Sequence, residues 1–148
     1  MPIHYRIGID PDLKASGYAL VENKPFEKQK IIAVSNPSFW VLCELIKHWH
    51  INKGEATLIV CIEAGWLNKK SNYHGAFNKE IAARIGKNVG ENHAVGKLLE
   101  EYCQFNQIPY KLIRPTTEKW DSRKFKMITG YEKRTNQEIR DAVKIAWL

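Results

Sequence analysis

The run Thr57 to Glu63, T-L-I-V-C-I-E, constrains this chain more than any other stretch. A near-continuous apolar segment of strand length suits a central β-strand buried on both faces, in a sheet covered by helices. It ends in an acid, Glu63. A second strand, His4 to Asp10, alternates Tyr5, Ile7 and Ile9 with polar or small residues, ends in Asp10 and is followed at once by Pro11. An ionised carboxylate at the tip of a buried strand loses hydration. Placed at a strand end facing a cleft, the same carboxylate can hold a cation.

The remaining pattern fills in a fold. Gly17 to Glu22 and Ile31 to Val34 read as strands joined to the first by short connections, which predicts a three-strand antiparallel meander. Asn36-Pro37 is a helix start, with Asn as cap and Pro in the first helical position. Val41, Leu42, Leu45, Ile46 and Trp49 follow at helical spacing until Lys53-Gly54. A long helix runs from about Phe77 to Phe105. Along it Ala82, Gly86, Gly90 and Ala94 form a small-residue stripe expected to pack on the sheet. Pro109 to Ile113 is a short strand, and Arg114 to Glu118 turns into a basic helix carrying Lys119, Arg123, Lys124 and Lys126, closed by Gly130. Thr135-Asn136-Gln137-Glu138 opens a last helix running to Leu148. These pieces predict an α/β fold: a mixed five-stranded sheet, the meander plus two parallel strands, flanked by helices on both faces. Right-handed crossovers place strand 57–63 beside strand 4–10. Asp10 and Glu63 then stand at adjacent carboxyl ends, where open α/β sheets keep their sites.

With 148 residues and no linker or repeat, positions 1–148 read as a single domain. Apolar residues at 44% and charged residues at 26% are ordinary for a globular chain. Lys and Arg outnumber Asp and Glu by 23 to 16, for a net +7, which suits either an anionic partner, nucleic acid first, or a solvated basic surface. No apolar run reaches membrane-span length and no signal-peptide pattern opens the chain. Cys43, Cys61 and Cys103 lack C-x-x-C spacing and read as reduced thiols of a cytoplasmic protein. The absence of a glycine-rich phosphate loop argues against a nucleotide cofactor, and with the short length against an actin-like ATPase.

Glu138 and Asp141 are three apart and share a helix face. They border the apolar stripe Ile139, Ala142, Val143 and Ala146 that would seat this helix on the sheet. If that seam meets the two strand tips, Asp10, Glu63, Glu138 and Asp141 converge. Such a cluster needs counterions, because like charges raise one another's pKa. Hard divalent cations such as Mg²⁺ prefer carboxylate oxygen, and two of them about 4 Å apart suit in-line displacement at phosphorus. Each acid also has a local explanation: Thr135-x-x-Glu138 fits a capping box, Asp10 could cap a turn, and Asp141 could be a solvated edge residue. The basic loop Lys69-Lys70, with Lys79, Arg84 and Lys87 beyond it, would track phosphates without reading sequence. His74 in that loop reads as a solvent or phosphate contact.

I-G-I-D-P followed by S-G-Y, I-E at Ile62-Glu63, Gly86-x-x-x-Gly90 and Glu138-Ile-Arg-Asp141-Ala142 occur in that order. With these motifs the chain resembles, over nearly its whole length, the RuvC family of Holliday-junction resolvases in the RNase H-like, retroviral-integrase superfamily. The resemblance implies an RNase H-like nuclease domain that cuts branched DNA, often as a homodimer. It implies that Asp10, Glu63, Glu138 and Asp141 hold two Mg²⁺ ions, with Mn²⁺ as a substitute. Trp66 matches a family aromatic that contacts DNA, where stacking on a base contributes roughly 1–3 kcal/mol; the alternative is an ordinary core Trp. Lys119 or Lys124 matches a family basic residue beside the cleaved phosphate, and Arg123 adds to that DNA-binding surface. Two departures stand out. Asp12 replaces the family Gly after D-P and either contacts metal or faces solvent, and Glu138 replaces a shorter Asp. Alternative functions are an RNase H-like ribonuclease that processes RNA and a non-cleaving junction-binding module.

Overall fold

The computed structural model describes residues 2–68 and 79–148. Strands β1 (His4–Asp10), β2 (Gly17–Asn23) and β3 (Lys30–Ser35) precede helix α1 (Phe39–Asn52). Then come β4 (Thr57–Glu63), a 3-10 turn at Gly65–Leu67, α2 (Lys79–Phe105), β5 (Tyr110–Ile113), α3 (Ser122–Thr129) and α4 (Gln137–Ala146). The sheet order is β3-β2-β1-β4-β5. β1, β2 and β3 pair antiparallel, whereas β4 runs parallel to both β1 and β5. This is the mixed five-stranded sheet expected from the apolar patterning.

Strand alternation sorts the core into two layers. Ile7, Ile9, Tyr18, Leu20, Leu58, Val60 and Ile62 pack with Leu42, Cys43 and Ile46 of α1 and Val95, Leu99 and Cys103 of α2. Each fully buried aliphatic chain here contributes roughly 1.5–3 kcal/mol. On the opposite face Ala19 packs with Trp120, Phe125, Ala142 and Val143 under α3 and α4. The three cysteines are buried and free.

Helix α4 lies against β1 and β2 because two glycines leave room for its backbone. A Cβ on Gly8 would stand 2.0 Å from the Ala142 carbonyl oxygen and 2.9 Å from the Ala146 Cβ. One on Gly17 would stand 2.1 Å from the Glu138 carbonyl oxygen. The predicted stripe is all buried, from Ile139 through Ala142 and Val143 to Ala146. Arg6 Nε donates to the Ala146 carbonyl at 2.8 Å, satisfying an orphan acceptor at the helix end.

Four local expectations need correction. Helix α1 begins at Phe39 with Ser38 as N-cap, not at Asn36-Pro37. Those two residues serve tertiary bonds instead: Ser16 N donates to the Pro37 carbonyl at 3.0 Å, and Asn136 Nδ2 donates to Asn36 Oδ1 at 2.7 Å. Helix α3 begins only at Ser122, capped by Asp121, so Lys119 sits on the preceding loop. Helix α4 is capped by Asn136, whose side chain accepts from Ile139 N at 2.9 Å, and ends at Ala146 rather than Leu148. Thr135 and Glu138 therefore do not form a capping box. Along α2, Gly90 and Ala94 are exposed and a Cβ on Gly90 would meet nothing within 4 Å. The close approach is at Gly96, where a Cβ would stand 2.5 Å from the Trp66 ring.

Candidate active site

The parity that buries Ile7 and Ile9 under α1 and α2 turns Arg6, Gly8 and Asp10 toward α4. In β4 it likewise turns Ile59, Cys61 and Glu63 away from the layer that holds Leu58, Val60 and Ile62. Ile9 pairs with Ile62 in register, so Asp10 and Glu63 follow side by side at the parallel carboxyl ends. Adjacent strands lie about 4.8 Å apart. Helix α4 brings the other two acids. Glu138 is exposed, with its backbone over Gly17, and Asp141 is 8% exposed, with Ser16 the other buried polar residue among those described.

The electrostatics register this convergence. Burial, then Glu63, then Asp141 push the Asp10 carboxyl up to about 7, with Glu138 adding to the rise and Lys119 opposing it. Glu63 is also raised, by burial first and by Asp141, against the attraction of Lys119 and Lys144. One cation is built into the cluster. Lys119 Nζ donates to Asp141 Oδ2 at 2.8 Å, and Gln137 Nε2 donates to Asp141 Oδ1 at 2.8 Å. Burial works against the Lys119 charge, yet the hydrogen bond and attraction of Asp141, with Glu63 and Asp10, outweigh it and raise its pKa.

Asp10 and Glu63 open into a cleft of about 340 Å³ walled by Trp66, Asn68, Asn92, His93 and residues 115–117. Trp66 is half-buried there: its ring lies on Gly96, 6.0 Å from the His93 ring, with Lys97 Nζ 5.9 Å above it. It is thus both a packing residue and part of the cleft wall. Burial, then Lys97, lowers the His93 pKa.

Asp12 belongs to the turn rather than to the acid cluster. Its Oδ1 accepts from Lys14 N at 2.9 Å and from Ala15 N at 3.2 Å, an Asx-type turn.

The expected basic residues divide. Lys79, Arg84 and Lys87 are exposed on the first half of α2, Lys87 3.9 Å from Glu91. Arg123 is exposed at the start of α3. The Lys124 ammonium is paired with Glu118. Lys69, Lys70 and His74 lie outside the described residues.

Among the described residues no three His, Cys, Asp or Glu side chains form a ready metal shell. The donor chemistry fits a hard divalent cation: Asp10, Glu63 and Asp141 come from three elements, with Asp10 and Glu63 raised by burial first and by neighbouring carboxylates, and Glu138 stands exposed at the edge. Lys119 supplies one positive charge at Asp141.

Sequence reasoning missed Gln137, Lys144, Asn92 and His93. Lys144 was recoverable, since it lies three residues from Asp141 on one helix face. Asn92 and His93 carried no signal, because their meaning depends on where α2 crosses the strand tips. No described helix is long and apolar enough to cross a membrane.

No family model matches the sequence, and no curated protein is significantly similar to it. Solved structures do match. Thermus thermophilus RuvC in complex with a Holliday-junction substrate superposes with a TM-score of 0.53 at 15% identity, covering 96% of this chain and 90% of that one. A further Thermus thermophilus RuvC structure gives the same values. The fowlpox virus resolvase bound to Holliday-junction DNA gives a TM-score of 0.49 at 12% identity, covering 96% and 93%. The strand order, the acid-tipped central pair and the Thermus superpositions agree: this chain has a RuvC-like fold.

Proposed function

We propose that this protein is a Mg²⁺-dependent endonuclease that hydrolyses phosphodiester bonds in branched DNA, with the four-way junction as its substrate. The observation that carries the reading is Asp10 at the tip of β1, its carboxyl pushed up to about 7 by burial first and then by Glu63 of β4 and Asp141 of α4, with Glu138 adding least. The fold supports it, as does the junction DNA bound in the similar Thermus structure.

On this reading the four carboxylates hold the divalent ions. Bound there, the ions would polarise the scissile phosphate and lower the pKa of the attacking water. The chain supplies the rest. Gln137 and the Gly8–Ala142 contact fix the Asp141 carboxylate in place. Lys119 holds a positive charge beside the acids, where negative charge develops on the phosphate. Trp66 offers a ring face on the cleft wall to an unpaired base. A homodimer is part of the proposal, as the family resemblance implies.

The deciding experiment is cleavage of a labelled synthetic four-way junction, with linear duplex and RNA–DNA hybrid alongside, in Mg²⁺, in EDTA, and with Asp10→Asn. Paired junction nicks that need both metal and Asp10 support the proposal. Preferential hybrid cleavage replaces it with a ribonuclease. The Lys119–Asp141 pair favours one second reading, a junction-binding module in which Lys119 rather than a metal ion occupies Asp141. Tight junction binding without nicks in Mg²⁺ or Mn²⁺ would establish that instead.

A further inference from the structure

Glu63 and Thr116 stand on the shared wall of two cavities. One is the cleft described above, lined by no lysine or arginine among the described residues. The other, about 350 Å³, lies between β5 and the end of α4 and is lined by Glu63, Glu118, Asp141 and the Lys119 paired with Asp141, and by four further cations, Arg6, Lys111, Arg114 and Lys144. These cations come from β1, β5, the loop after β5, and α4, so only the fold gathers them. None is ion-paired with a described acid. Arg6 uses Nε on the Ala146 carbonyl and makes no other hydrogen bond to a described residue. Lys144 Nζ donates to Thr116 Oγ1 at 2.8 Å and to the Glu118 carbonyl. Lys111 and Arg114 are exposed.

A solvated surface spreads like charges apart, whereas this hollow gathers five cations, Lys119 included, against the three acids Glu63, Glu118 and Asp141. The acids repel a phosphate, so a strand laid across them needs an anchor of opposite sign close by. The hollow also has an apolar wall in Ile113, Ile145 and Trp147, and its volume suits one nucleotide unit. We infer that this pocket anchors the phosphodiester neighbouring the scissile one. The cleaved DNA strand runs from the Trp66 cleft, over Asp10 and Glu63, into the pocket of Arg6, Lys111, Arg114 and Lys144. The inference rests on the nuclease reading, and it adds a phosphate contact on the side of Glu63 away from α2.

The test is fluorescence anisotropy of a fluorescein-labelled four-way junction in EDTA, at salt from 50 to 200 mM. The Lys111→Gln/Arg114→Gln variant removes two exposed side chains with no described partner, so folding is not at stake. The expected result is affinity about tenfold weaker and a slope of log K against log salt shallower by about 1.8, the loss of two phosphate contacts. The control is Lys30→Gln/Lys47→Gln, which removes the same charge from β3 and α1 and is expected to cost less than about twofold. Equal losses from the two pairs, no loss from the first, or no junction binding by the wild type would each overturn the anchor. Cleavage in Mg²⁺ reads the nuclease proposal separately: a wild type that cuts while the first variant binds normally sinks only the anchor.

Discussion

Gly8 lies directly beneath Ala142: a Cβ at position 8 would stand 2.0 Å from the carbonyl oxygen of residue 142. That contact lets α4 lie on β1 closely enough to bring Asp141 to Asp10. A backbone carbonyl inside a helix cannot swing aside, so Gly8→Ala falls at the upper end of overpacking costs, about 3 kcal/mol. In a domain of this size that lowers Tm by roughly 6–12 °C. Gly90→Ala is the counterpart, since its Cβ would meet open space in a helix interior. It is expected to stabilise by about 0.5–1 kcal/mol. Thermal unfolding followed by circular dichroism reads both, and equal Tm values for the two variants would mean that α4 is not seated on Gly8.

Where sequence and fold agree, the information was local. The apolar run Thr57–Glu63 and the alternation of His4–Asp10 set both strand ends to the residue, because a buried strand stops where its first acid must reach solvent. The face of α4 was legible from 100° spacing. The glycine between Ile7 and Ile9 was a signal left unread: glycine weakens a strand interior unless another backbone approaches. What failed was information held by tertiary partners. Asn36 looks like a helix cap but is occupied by Ser16 and Asn136. The small-residue stripe of α2 pointed to Gly90, whereas the tight contact falls on Gly96, fixed by the Trp66 ring. Lys119 reads as a helical residue among other lysines; only its loop position brings it to Asp141.

Asp10 makes stability depend on pH in a direction opposite to a paired carboxylate. Its pKa rises from 3.8 to about 7 on folding, so between these values the native state binds more protons than the unfolded chain. Stability in EDTA therefore falls as pH rises from about 4 to about 7 and levels off above. Glu63, also raised, acts in the same sense. Asp10→Asn removes the charge and is expected to stabilise the metal-free protein at pH 8 by roughly 2–4 kcal/mol. Urea unfolding at pH 5 and pH 8 checks this. A wild type more stable at pH 8 than at pH 5 would show that folding does not raise the Asp10 carboxyl.

Lys119 and a divalent ion compete for Asp141. Replacing Lys119 by Met removes the ammonium that donates to Oδ2 and leaves the carboxylate without its cation. Titration calorimetry with Mg²⁺ is expected to show about two- to fivefold tighter binding for Lys119→Met, the scale of a partly exposed ion pair. The free variant should be less stable than wild type in EDTA. Asp141→Asn should lose Mg²⁺ affinity. Unchanged affinity in Lys119→Met would place the ion away from Asp141.

Trp66 has two duties that one substitution can separate. Its ring covers Gly96 at the base of the cleft, and the same ring forms part of the wall beside Asp10 and Glu63. Leucine keeps apolar contact over Gly96 but offers no aromatic face. Trp66→Leu is therefore expected to lower Tm by only a few degrees, about 1 kcal/mol. Four-way-junction affinity in EDTA should fall about tenfold, the worth of one stacked base. Trp66→Phe, which retains a ring, should recover most of the binding. If Leu and Phe variants bind the junction as tightly as wild type while both lose stability, Trp66 is a packing residue and the cleft must hold the strand by other means.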